Sequence, residues 1–319
     1  MRIMFMGTPE FAQVSLEALT QDGRDIVCVI TQPDKPKGRG KKMAMPPVKE
    51  YALSKGIEVY QPETLRGGSI QPILDKYTPD IIVVVAYGKI LPEYVLNFPK
   101  YGCINIHGSL LPKYRGAAPI QRAVMDGETV SGVTSMYMEK GLDTGDMLLK
   151  EETPISENAT AGELHDLLAA AGGRVLLKTL DAIESGTLTP IKQDDSLSSY
   201  ASQLTKQDGE IDWSENAQTI INKVRGLNPW PMAYSYIGEK RFVIDFAYKA
   251  EYKPTNFGEV LSADKNGLVI SCGDGAVLIK NIKIEGKNKM SVEEYLRGHN
   301  IEKGTILGRK HCRLFRKED

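Results

Sequence analysis

Apolar residues fall along this chain in two kinds of run, and their alternation sets the first reading of its fold. Residues 2–6 form a short apolar stretch ending in Gly7-Thr8-Pro9-Glu10, after which Phe11, Val14, Leu16 and Leu19 recur at roughly helical spacing. That pattern is strand, turn, helix. Further apolar runs at 26–31, 57–60 and 80–86 are separated by helical periodicity at 48–54 and 70–76. Strands that alternate with helices imply a parallel sheet whose crossover helices cover its faces. The run Ile81-Ile82-Val83-Val84-Val85-Ala86 is apolar at every position, as a strand covered on both faces must be, and it is expected at the sheet centre. Strands at 101–107, 132–138 and 147–151 and helices at 117–125 and 161–185 complete this half.

From residue 186 to 207 the pattern turns polar and loses its period. A helix at 215–225 then leads into short alternating strands at 234–237, 242–248, 258–263, 268–272 and 277–285, separated by Gly, Asn and Asp turns, the spacing of a small barrel. The expected fold class is therefore α/β, a Rossmann-like, mainly parallel sheet with helices on both faces, followed by a small C-terminal OB-like β-barrel domain. Its expected divisions are 1–188 for the α/β domain, 189–207 for a linker, 208–311 for the barrel and 312–319 for a basic tail. A length of 319 residues suits two cores rather than one.

Composition narrows the class without choosing a partner. With 41% hydrophobic and 25% charged residues the chain has ample apolar surface to bury, which excludes a disordered chain. The net charge of -1 hides a surplus of positive charge after residue 206 and of negative charge before it, too small to announce nucleic acid by itself. Cys28, Cys103, Cys272 and Cys312 are scattered, with no pair at metal-ligand spacing, so neither a disulfide framework nor a metal is expected and a reducing cytoplasm fits. No apolar run has membrane-spanning length, and the first residues are too few for a secretory segment. Neither a membrane nor an obligate protein partner is expected.

Open α/β sheets bind ligands beyond the carboxyl ends of their strands. Two such ends stand out, Ala86-Tyr87-Gly88-Lys89-Ile90-Leu91-Pro92 and Asn105-Ile106-His107-Gly108-Ser109-Leu110-Leu111-Pro112. Strand alternation puts Asn105 and His107 on one side. An imidazole can shuttle a proton near neutrality, and an Asn amide can donate to an oxygen that gains negative charge, a pairing that suits acyl transfer to a neutral nucleophile. Asp143, in the turn Gly141-Leu142-Asp143-Thr144-Gly145-Asp146, could orient that histidine, relay its proton through water, or serve only the turn. Cys103 reads as a small buried hydrophobe rather than a nucleophile. The Gly7-Thr8-Pro9 turn lacks GxGxxG, which counts against a nicotinamide enzyme. Between residues 34 and 49, Lys35, Lys37, Arg39, Lys41, Lys42 and Lys49 face the single acid Asp34 among glycines and prolines. Charge alone leaves two readings of that stretch, a solvated loop or a set of phosphate contacts.

The segment from Asn105 to Pro112, its continuation Arg115-Gly116-Ala117-Ala118-Pro119-Ile120-Gln121 and the Gly141–Asp146 turn resemble the folate-dependent formyltransferases. Met6-Gly7-Thr8-Pro9-Glu10-Phe11 matches the same family. Thr31-Gln32-Pro33-Asp34, Asn228-Pro229-Trp230-Pro231 and Leu296-Arg297-Gly298 are similar to its tRNA-modifying branch. The resemblance implies Asn105, His107 and Asp143 as the catalytic trio, Ser109, Leu110, Leu111 and Pro112 as a folate-contacting segment, and 10-formyltetrahydrofolate as donor. It also implies initiator methionyl-tRNA as acceptor, with Lys35, Lys37, Arg39, Lys41 and Lys42 reaching the acceptor stem and the C-terminal domain holding RNA. Formyl transfer to an amino sugar or other small amine, hydrolysis of 10-formyltetrahydrofolate, and non-catalytic RNA binding are the competing readings. The basic stretch 309–317 departs from the family pattern and reads as a frayed end or an extra RNA contact.

Overall fold

The computed structural model describes residues 1–38, 40 and 42–308; Arg39, Lys41 and the basic tail from 309 onward lie outside the described residues. In chain order the first elements are β1 (Arg2–Gly7), α1 (Glu10–Gln21) and β2 (Asp25–Ile30), then a short hairpin of β3 (Lys35–Lys37) and β4 (Lys42–Ala44). Next come α2 (Pro47–Ser54), β5 (Val59–Tyr60), α3 (Gln71–Tyr77), β6 (Ile81–Val85), α4 (Glu93–Leu96) and β7 (Cys103–His107). They are followed by β8 (Arg115–Gly116), α5 (Pro119–Met125), β9 (Val130–Tyr137), β10 (Met147–Pro154), α6 (Ala161–Glu184) and β11 (Tyr200–Ala201). The chain resolves into two compact units, one made of residues 1–119, 130–154 and 165–201, the other of 120–129, 155–164 and 202 onward.

In the first unit a seven-stranded sheet runs in the order β10-β9-β7-β6-β1-β2-β5. The five strands from β7 to β5 are parallel, and β9 and β10 add an antiparallel edge. All five side chains of β6 are buried, each contributing about 1.5–3 kcal/mol of apolar burial, which accounts for a run with no polar position. On one face Met4, Met6, Ile30, Ile82, Val84 and Cys103 pack with Leu74 of α3 and Val95 of α4. On the other, Ile106 lies against Gly172 of α6, where a Cβ would stand 3.2 Å from the isoleucine. Helices therefore cover both faces, as the periodicity implies. Because β1 sits between β2 and β6, the sheet order reverses there, and the turns after β1 and β6 meet. Thr8 Oγ1 and Gln32 Nε2 both donate to the Tyr87 carbonyl, at 3.2 and 2.9 Å.

The polar stretch expected as a linker is tied down as far as Ala201. Strand β11 pairs in parallel with β8, Ile191 bridges Met147, and Arg115 N donates to Ser199 O at 2.9 Å. Hydropathy missed this because backbone and polar side-chain bonds hold it.

The second unit contains α7 (Ala217–Gly226), β12 (Ala233–Ile237), β13 (Lys240–Ile244), β14 (Tyr248–Ala250), β15 (Val260–Asp264), β16 (Gly267–Ser271), β17 (Ala276–Ile279), β18 (Asn281–Ile284), β19 (Met290–Ser291) and α8 (Val292–Leu296). Asn216 caps α7, its Oδ1 accepting from Thr219 N at 2.8 Å. The strands expected as a small barrel are antiparallel throughout and form two four-stranded sheets, β12-β13-β18-β19 and β14-β17-β16-β15. Two strands expected to be continuous, 242–248 and 277–285, each divide where the chain changes sheet, at 245–247 and at Lys280. Apolar alternation persists through the first corner, at Phe242, Ile244, Phe246 and Tyr248, so periodicity alone cannot see it, whereas the second is marked only by a change of phase at Lys280-Asn281. Of the two early segments of this unit, 155–164 is held by α7 and the turn after it, and Arg122 of the other donates to Ser202 Oγ at 2.9 Å. The buried Arg225 guanidinium donates to the carbonyls of Glu157 and Ala159, at 2.5 and 3.2 Å, and Gly162 N donates to Asn228 O at 3.0 Å.

Truncating a fully buried side chain at the sheet centre, Ile82→Ala, is expected to lower stability by about 2–5 kcal/mol, read as an earlier urea transition of the first unit.

Candidate active site

Strand β7 aims its residues by the pleat. Since Ile106 faces α6, Asn105 and His107 face the opposite side, beside Val84 and Thr134 of the neighbouring strands. Asn105 is 9% exposed and His107 6%. His107 Nε2 lies 2.8 Å from the Tyr114 carbonyl; a carbonyl only accepts, so Nε2 carries the proton and donates. The other nitrogen, Nδ1, stands 3.7 Å from Asp143 Oδ2. Asn105 is different. Its side-chain amide has no hydrogen-bond partner among the described residues.

Because β9 runs antiparallel to β7, the loop after it leaves the sheet beside Ile104 and carries Asp143 back along the face to His107. Asp143 Oδ2 also accepts from Gly116 N at 2.8 Å, which aims the carboxylate. Two residues here adopt left-handed backbone, Asp143 with φ 54° and Tyr114 with φ 61°. Such conformations cost about 1–3 kcal/mol each and persist only where neighbours fix them. Gln193 Nε2 donates to the Asp143 and Gly145 carbonyls, both at 2.8 Å, and Tyr114 N donates to Ser199 Oγ at 2.8 Å. Neither Gln193 nor Ser199 stands out in the sequence, since both lie in the polar stretch without periodicity.

The segment after His107 is braced rather than open. Ser109 Oγ donates to Lys113 O at 2.7 Å, Thr134 Oγ1 donates to Ser109 O at 2.7 Å, and Leu111 N donates to Thr134 Oγ1 at 3.1 Å. Lys150 Nζ donates to Leu111 O at 2.5 Å, and burial pulls the Lys150 ammonium below its ordinary range. Leu111 packs with Met136 and Met147. Of the four residues expected to line a ligand, Ser109 and Leu111 are buried, while Leu110 and Pro112 keep exposed surface. Thr134, which braces this segment, carries no sequence signal beyond its place in a strand.

The basic loop is a hairpin whose base is latched to the sheet. Lys49 Nζ donates to Asp34 Oδ1 and Oδ2 at 2.9 and 2.8 Å and to Gln61 Oε1 at 2.7 Å. The Lys49 ammonium, with the Gln61 amide, holds the Asp34 carboxyl below the usual carboxylate range. Lys35 Nζ donates to Gln32 Oε1 at 3.0 Å, whereas Lys42, Met43 and Met45 are exposed. Lys37 lies in β3. In the second unit Arg241 stacks on Tyr234 and Lys289 pairs with Asp245, while Lys206, Lys240, Lys283 and Lys287 are among the exposed cations.

Set beside known proteins, residues 1–180 match the family model described as Formyl transferase and residues 203–300 the one described as Formyl transferase, C-terminal domain. A methionyl-tRNA formyltransferase of Acetivibrio thermocellus is 50% identical over 97% of this chain and 100% of its own length. One from Alkaliphilus metalliredigens is 50% identical over 97% of this chain and 98% of its own. Among solved structures, WlaRD, a sugar 3N-formyl transferase determined with dTDP and 5-N-formyl-THF, superposes with a TM-score of 0.66 at 22% identity, over 90% of this chain and 99% of that one. At that identity the likeness speaks for the fold.

Burial pushes the Cys28 and Cys103 thiols up to about 12, so neither is expected to take iodoacetamide at pH 8 in the native protein, a result read by mass spectrometry. A Cβ on Gly145 would stand 1.9 Å from the Tyr137 carbonyl oxygen, so Gly145→Ala must displace the turn that carries Asp143. Shifted His107 ring resonances with the sheet signals unchanged are the expected outcome.

Proposed function

This chain belongs to the formyl transferase family and, within it, to the methionyl-tRNA formyltransferases, and on that ground we propose that Asn105, His107 and Asp143 carry the transfer. The reaction places a formyl group on the amino group of methionyl-tRNA, with a reduced folate as co-substrate. We take the donor to be 10-formyltetrahydrofolate and the acceptor to be the initiator tRNA. Formylation of an amino sugar or another small amine has no comparable support, because relatives at half identity over nearly the full chain carry the tRNA activity in their names.

One observation carries the assignment of residues: a nearly buried Asn105 amide with no internal partner, on the same strand face as an imidazole paired with a carboxylate. Polar groups in a protein interior are normally satisfied there, and an amide at its edge that makes no internal bond is available to a ligand. The same amide, on the strand that leads into the partly exposed Leu110 and Pro112, is what makes the face fit a folate carrying a polar formyl oxygen. Bound there, the folate supplies an activated one-carbon unit. Asn105 Nδ2 donates to the formyl oxygen as it gains negative charge. His107 moves a proton from the attacking amine toward N10 of the folate, which then departs neutral; Asp143 orients the imidazole and stabilises its charged form. Proton lost and proton gained balance, so the trio only relays. Ser109 and Leu111 shape the folate segment from beneath.

For the acceptor, we assign Lys35, Lys37, Arg39, Lys41 and Lys42 to the phosphates of the acceptor stem, each contact weakening with salt. The region 208–311 is assigned to RNA binding, where exposed lysines and the exposed rings of Trp230, Phe246 and Tyr248 supply charge and stacking surface. The tail 312–319 is left without a role. Among the described residues no helix is long and apolar enough to cross a membrane. The cytoplasm, where charged tRNA and reduced folate meet, is the compartment we assign.

Transfer of labelled formyl from 10-formyltetrahydrofolate to charged initiator tRNA, with elongator Met-tRNA as control, tests the reading directly. Asn105→Ala is expected to cut turnover on the order of 10²–10³-fold with an unchanged melting curve; near-normal formylation by that variant would sink the assignment. Reversing charge at Lys42 together with Arg39 and Lys41 should raise the KM for Met-tRNA and flatten its salt dependence while leaving the KM for folate alone.

A further inference from the structure

Gln193 sits in the stretch that looked like a connector, yet it is only 6% exposed and uses its whole amide. Its Oε1 accepts from Arg115 Nε at 3.0 Å and Nη2 at 2.8 Å, and its Nε2 donates to the carbonyls of Asp143 and Gly145, both at 2.8 Å. Those partners fix the amide's orientation, since a guanidinium only donates and a carbonyl only accepts. Arg115 is in turn held by Asp195 at 2.8 Å. The Asp143 carbonyl that Gln193 grips belongs to the residue with left-handed backbone, and that residue's carboxylate is the one beside His107. Among the described residues no other side chain donates to the Asp143 carbonyl.

We propose that Gln193 is a positioning residue for formyl transfer: its amide N–H groups hold the Asp143 turn in the one backbone conformation that brings the carboxylate to His107. The inference rests on the reading of Asp143 given above. It adds a requirement on the chemistry at position 193, which must donate twice toward the turn and accept from Arg115. A role limited to anchoring Arg115 needs only the acceptor. Glutamate separates the two, because it keeps the size and strengthens the arginine contact but sets an acceptor oxygen against two carbonyl oxygens.

The experiment is steady-state formylation of Met-tRNA by Gln193→Glu, Asp143→Asn and the double variant, each checked by its melting curve. Gln193→Glu should lose about 10–100-fold in kcat, the scale of a catalytic group misplaced by about an ångström, with both KM values within about threefold of the parent. The double variant should be no slower than Asp143→Asn alone, because two residues acting through one carboxylate cannot be lost twice. Turnover of Gln193→Glu within about twofold of the parent, or losses that multiply in the double variant, overturns the proposal. Near-normal turnover by Asp143→Asn overturns the reading of Asp143 and the proposal with it; an impaired Asp143→Asn beside a healthy Gln193→Glu overturns the proposal alone. Should Gln193→Glu fail to fold, Gln193→Met is compared with Arg115→Met, which loses the arginine contact alone: Gln193→Met should be about tenfold or more the slower of the two, and equal turnover overturns the proposal.

Discussion

A β-strand points alternate residues to opposite faces, and in β7 that period of two decides where everything else in the first unit must go. Ile106 is committed to the α6 side, which leaves Asn105 and His107 facing the other way with no freedom to turn. Flanking strands β6 and β9 lock the register, pairing Val84 and Met136 with Asn105. Slipping that register by one residue would bury the imidazole against α6 and expose an isoleucine to substrate. The loops are then built around two fixed side chains. Tyr114 supplies the acceptor for Nε2, Gly116 aims the carboxylate, and the chain between 189 and 201 braces both loops from outside.

Parts of this arrangement are legible in the sequence because their causes are local. The unbroken run Ile81–Val85 has one stable place in an α/β sheet, buried on both faces, and that is where it lies. Spacing two residues apart puts Asn105 and His107 on one face whatever the tertiary context. The short helix α8 escapes notice because five residues are too few to show a period, although its Ser291 and Glu294 form a complete capping box. Asp143 is another matter. Nothing in a glycine-bounded turn says that an antiparallel strand will return it to the far end of β7; resemblance to a family supplied what periodicity could not.

Gln193 shows the opposite failure. Its burial arises from the groups it bonds, Arg115 from one loop and Asp143 from another, and those are separated from it by 78 and 50 residues. Hydropathy assigns such a residue to solvent because it scores the side chain and not its partners. In the basic hairpin the same limit works in reverse, since composition identifies the charge while Lys49 turns out to be paired with Asp34 at the hairpin's base. Charge counted in a sequence overstates charge available to a phosphate.

The interleaving of the two units bears on how the chain is made. Residues 120–129 and 155–164 are synthesised early, but the groups that hold them, Ser202 for the first and Arg225 and Asn228 for the second, emerge from the ribosome some sixty or more residues later. The sheet of the first unit can pair its strands while these segments wait. The Glu157 and Ala159 carbonyls stay solvated until α7 arrives. A gene cut between the two halves, at the place where hydropathy suggests a seam, would therefore release a first half carrying two segments that belong to the second. Evolutionary exchange of the C-terminal part between relatives is constrained in the same way: an incoming second half must bring a helix that can grip loops already written into the first.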